Sequence, residues 1–66
     1  MNETEKNLEN VLDWFIWLCR NTTQEDYKAE RYRRYNDLVW SLRKLGCSVT
    51  YDFDKNEHKV KANALK

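Results

Sequence analysis

The chain has 66 residues, which allows one domain, because a chain of this length buries only about 60% of the surface its unfolded form exposes. Lys and Arg total 12 against 11 Asp and Glu, a net charge of +1, so no field of one sign exists to recruit nucleic acid or a membrane at long range. One glycine and no proline exclude a glycine-rich phosphate cradle and argue against linkers or low-complexity segments.

A core this small needs a supplement, commonly a disulfide framework, a metal or a partner subunit. Cys19 and Cys47 form no CxxC pair and fall on apolar faces, which argues against a bridge or a closed zinc site and favours buried thiols. Self-association is the remaining supplement. The acidic, polar N-terminus has no basic segment leading into an apolar one, and the longest apolar run, Trp14 to Cys19, is too short to span a bilayer. A soluble, cytoplasmic chain with no membrane contact is expected. Its size and Asn/Lys/Glu/Tyr-rich usage are of a kind common among short proteins of bacterial viruses and mobile elements.

The first predicted element is a helix over about residues 4–20, because Leu8, Val11, Leu12, Phe15 and Cys19 recur at helical spacing and Thr4 or Asn2 can cap its start. Asn21 to Asp26 reads as a break and restart, with Thr22 and Glu25, or Thr23 and Asp26, at capping-box spacing. The second helix spans about residues 23–45 and carries Tyr27, Tyr35, Leu38, Val39, Leu42 and Leu45 on one stripe, stopping at Gly46. The period then changes to two. Cys47, Val49, Tyr51 and Phe53 alternate with polar residues, Asp54 to Glu57 is turn chemistry, and His58, Val60 and Ala62 alternate with Lys59 and Lys61. A β-hairpin over about residues 47–62 follows, with Asp52 and Asp54 set across from Lys59 and Lys61 and a frayed tail over residues 63–66. The expected fold is α+β, a helical hairpin followed by a C-terminal β-hairpin (ααββ) in one small domain.

Projected at about 100° per residue, Trp14 lies at the margin of the first helix's apolar arc and Trp17 lies outside it. Either the hairpin or the tail folds over Trp17, or Trp14, Trp17 and Leu18 make a surface for a partner or for a homodimer. On the second helix Trp40 points away from the leucine stripe, with Arg33, Arg43 and Lys44 nearby. It is read either as a ring covered by cationic stems or as a partner site. Arg31 and Arg34 fall in phase with the apolar stripe. They either meet an acid, Asp13 being the best placed, or project beyond the core with Tyr27, Tyr32 and Tyr35 as a Tyr/Arg recognition surface.

Catalytic chemistry finds little support. His58 is the only histidine, expected to be structural beside Phe53, and no nucleophile is tied to it by spacing. Asp52 and Asp54 fall on the strand face opposite it, so no metal set forms, and no cofactor is expected. The function expected is that of a small non-enzymatic protein-interaction module, self-associating as a dimer through Trp14, Trp17 and Leu18. It would bind a macromolecular partner through Tyr27, Arg31, Arg33, Arg34, Tyr35, Trp40, Arg43 and Lys44. The alternative is a small nucleic-acid-binding protein using the basic, aromatic face of the second helix.

Overall fold

The computed structural model describes residues 3–62. Four elements follow in order: α1 (Glu3–Arg20), α2 (Glu25–Lys44), β1 (Ser48–Asp52) and β2 (Glu57–Lys61), the strands pairing as one antiparallel hairpin. The ααββ order is the one expected. Glu3 and Glu5 suit the positive end of α1, and Arg43 and Lys44 suit the negative end of α2. Gly46 adopts φ 98°, a conformation that a Cβ would oppose, and its N–H bonds the Arg43 carbonyl as α2 stops.

The core is where the two helices and the inner face of the hairpin meet. Leu12 from α1, Val39 and Leu42 from α2, Cys47, and Val49 and Val60 facing each other across the hairpin are buried, with Leu8, Tyr35, Leu38 and Ala62 packed round them. A lone hairpin is marginal in water, and this one is stabilised by laying that apolar face on the helices. All of α2's buried residues lie in its second half, and none of residues 25–34 is buried, so the first half extends beyond the core.

Several local expectations are corrected. No capping box starts α2: its N-cap is Gln24, without a side-chain cap, and Thr22 instead donates back to the Leu18 carbonyl at 2.7 Å. Thr4 lies inside α1 and so does not precede it as a cap, while Asn2 and the tail over residues 63–66 lie outside the described residues. Leu45 is the C-cap of α2 and is 63% exposed, and Tyr27 and Val11 are exposed too, because the apolar stripes outrun the surface available to cover them. The hairpin register pairs Thr50 with Lys59, Ser48 with Lys61 and Asp52 with Glu57, so the expected Asp–Lys pairs across the strands do not form. Asp52 turns to the loop, where one carboxylate oxygen accepts the N–H groups of Asp54 and Lys55. Phe53 consequently sits in the turn, 79% exposed and off the buried face.

Candidate functional site

Glu5, Glu9 and Asp13 stand four apart on α1 and form one line on its surface. Their carboxylates accept the backbone N–H groups of Ala62, Val60 and His58 at 2.7, 2.9 and 2.7 Å, respectively. His58 and Val60 are alternate residues of β2 and Ala62 continues the alternation just past its end, their N–H groups pointing away from β1. Four helical residues rise about 6.0 Å and two strand residues about 6.6–6.8 Å, so the two spacings agree closely enough for the helix to close the sheet edge. The helix thus takes the place of a third strand.

Asp13 does more than cap the strand. The same oxygen meets Nδ1 of His58 at 2.7 Å, and the other ring nitrogen, Nε2, is bonded to the Tyr35 hydroxyl. A ring that donates from Nδ1 to the carboxylate leaves Nε2 as the acceptor for Tyr35, which gives one directed relay from α2 through β2 to α1. His58 is 1% exposed. The rings of Tyr35 and Tyr51 lie edge-on to it, and Phe15 lies edge-on to Tyr35. Burial pushes the Tyr35 phenol above its ordinary value, with Tyr51 and Cys19 adding to the rise and Arg20 and Arg43 opposing it. Burial likewise raises the Cys19 thiol, against the pull of Arg31 and a backbone hydrogen bond.

Two clefts meet at Tyr35 and Tyr51. One, of about 220 Å³, lies between α2 and β1 and includes Asn36, Trp40, Arg43 and Thr50 in its walls. The other, of about 200 Å³, is walled by Ile16, Arg20 and Phe53 as well. Each holds one guanidinium over an aromatic ring: Arg43 lies 5.6 Å from the centroid of Trp40, and Arg20 lies 5.5 Å from that of Tyr51. Both are fixed at a second point, Arg43 by donating to the Val49 carbonyl at 3.1 Å and Arg20 by reaching Asn56 Oδ1 at 3.4 Å.

The chain matches no family model, no curated protein and no solved structure. Among the described residues no helix is long and apolar enough to cross a membrane, and no group of three or more His, Cys, Asp or Glu is arranged to hold a metal ion.

The residues singled out in the sequence divide among separate surfaces. Trp14 and Trp17 are each 58% exposed, so nothing among the described residues folds over Trp17, and Trp14 is not a core residue at the edge of its arc. Leu18 is half-buried beside them, and Val11, at helical spacing from Trp14 and Leu18, extends the same face. On α2 the phase puts Arg33, Trp40, Arg43 and Lys44 on one exposed flank and Tyr27 and Arg34 on another, while Tyr35 turns inward. Arg34 pairs with Glu30 one turn back at 3.0 Å. Arg31 does not reach Asp13; it donates to Thr22 Oγ1 at 2.7 Å, which holds the interhelical turn. The sequence reading missed the carboxylate line and the relay. A usable signal was present, namely three acids four apart on a helix whose only cations are Lys6 and Arg20.

Proposed function

We propose that this protein acts by binding, without catalysis of its own, as a self-associating interaction module. The observation that carries the reading is the exposure of Trp14 and Trp17 on a face of α1 that neither α2 nor the hairpin covers. Tryptophan contributes large apolar area with few rotatable bonds and is the residue most enriched among interface hot spots. A two-fold pair formed through Val11, Trp14, Trp17 and Leu18 would supply the apolar burial that a 66-residue core lacks. The flank bearing Arg33, Trp40, Arg43 and Lys44 is then left for a macromolecular partner.

A binding role is also supported by the chemistry of the one histidine. With Asp13 on one ring nitrogen, Tyr35 on the other and the ring enclosed, His58 has no free nitrogen to offer a substrate. The proposed setting is the cytoplasm, with Cys19 and Cys47 as buried thiols.

Sedimentation across a concentration series tests the reading. The wild-type chain should reach twice its monomer mass, and Trp14→Glu or Trp17→Glu should hold it at the monomer with its circular dichroism unchanged. A wild-type chain that stays monomeric at every concentration overturns self-association.

A further inference from the structure

The two edges of the hairpin are treated differently. On β2 the outward N–H groups of His58 and Val60 are taken by Asp13 and Glu9, which identifies these residues and their cross-strand partners Tyr51 and Val49 as the non-hydrogen-bonded pairs. The N–H and C=O groups of Val49 and Tyr51 therefore point away from β2, along the free edge of β1. Arg43 takes the Val49 carbonyl. Among the described residues no hydrogen bond takes the Tyr51 N–H or C=O. Open strand edges are sites for pairing with another chain, and natural sheets cover or charge them; here the edge of β2 is closed by carboxylates, whereas among the described residues that of β1 is closed at the Val49 carbonyl and open at Tyr51.

The open edge borders the two clefts that meet at Tyr35 and Tyr51. Each cleft carries one guanidinium held over a ring, and no acidic side chain lines either of them among the described residues, in a chain with 11 acids. The charge is complementary to an anionic occupant. A nucleic acid would answer the cations but has no backbone amides in register with Tyr51, whereas an extended peptide answers both.

We infer that the free edge of β1 takes an extended acidic peptide as an added strand, its carboxylates meeting Arg43 and Arg20 and its alternate side chains entering the two clefts. The inference rests on the proposal that the Trp40 flank serves a partner, and it is independent of self-association through α1.

The test titrates the full chain into a blocked, fluorophore-labelled peptide of alternating valine and glutamate, following anisotropy and the backbone amide spectrum. Binding should saturate, move the amide signals of Val49, Tyr51 and Phe53, and slow hydrogen exchange at Tyr51. Arg43→Ala and Arg20→Ala should each weaken binding about tenfold, as for loss of one charge-assisted hydrogen bond. Arg43→Gln, whose amide can still donate to the Val49 carbonyl, should weaken it as much while keeping the fold. Lys59→Ala should leave it unchanged. A glutamine-for-glutamate peptide should lose affinity, and one N-methylated at alternate residues on its pairing edge should not bind. Failure of the glutamate peptide to bind, or equal binding of the N-methylated one, overturns the inference. Saturation of the same amides by oligothymidylate with the peptide silent would overturn it while leaving a partner site at Trp40 and Arg43.

Discussion

Asp13 and His58, 45 residues apart in the chain, are joined twice through one carboxylate oxygen, which accepts the backbone N–H and meets ring Nδ1, each at 2.7 Å. The pair connects the first helix to the last strand at a position where the imidazole is wholly enclosed. Removing the carboxylate leaves two donors without an acceptor, one of them on a buried ring.

Asp13→Ala should therefore destabilise the fold by about 1–3 kcal/mol for each donor stranded, and Asp13→Asn by less, because its amide oxygen can still accept in the same place but without the charge. Urea unfolding at neutral pH measures both. An alanine variant within about 0.5 kcal/mol of wild type, the range of ordinary surface changes, would show that the link contributes nothing.

Glu9 makes a simpler case, with one oxygen and one backbone donor, Val60 N–H. Glu9→Gln keeps an acceptor and should stay close to wild type, whereas Glu9→Ala should cost about 1–3 kcal/mol. Exchange at the Val60 amide should quicken in the alanine variant alone. Equal exchange rates in both variants would assign the protection of Val60 to packing.

Alkaline pH should destabilise the fold through Tyr35 and Cys19. Both groups are held above their ordinary values of 10.0 and 9.0 by burial, so the folded state binds protons that the unfolded state has begun to release. Their contribution is complete below about pH 9 and is lost as pH rises through the folded-state values. The midpoint of thermal unfolding should fall from about pH 9 upward, and Tyr35→Phe should flatten that fall. Identical slopes for the two proteins would remove Tyr35 from the account.

Gly46 closes α2 at φ 98°, and Gly46→Ala should cost roughly 1–2 kcal/mol, since an L-residue with a Cβ is strained there. Asn56, at φ 55°, is also in a left-handed conformation, and its side chain accepts from the Tyr51 hydroxyl at 2.9 Å. Asn56→Gly should therefore relieve the backbone but release Tyr51, for a net change within about 0.5 kcal/mol. Chemical unfolding of the two variants decides both expectations.

The fold was legible because its signals are local. The helical spacing of Leu8, Leu12 and Cys19, the single glycine at position 46 and the alternation from Cys47 to Val60 each report the backbone they sit on. The relay was not legible, since Asp13, Tyr35 and His58 come from three elements and meet only through packing. Helix packing makes Asp13 the best-placed acid should Arg31 or Arg34 turn inward, but its partner is the buried imidazole of His58, and Arg31 bonds Thr22 instead. The Asp52–Lys59 pairing failed for a related reason. Strand alternation predicts faces, but the turn sets register, and the Asp52 carboxylate was already occupied in building that turn. For the binding surfaces the sequence located surplus tryptophan on both helices, while the open edge of β1 became visible only once the edge of β2 was seen to be closed.

The line of Glu5, Glu9 and Asp13 against β2 works as a vernier, two scales of slightly different pitch. Each rung gains about 0.6–0.8 Å of mismatch, so three rungs stay within hydrogen-bond tolerance and longer runs would drift out of step. The next position on the helix scale is Trp17, and there the carboxylates stop and the strand gives way to the turn. A helix can therefore stand in for a strand only over a short length. An edge of this kind suits a hairpin of five-residue strands, and lengthening β2 by one further pair would require a different neighbour.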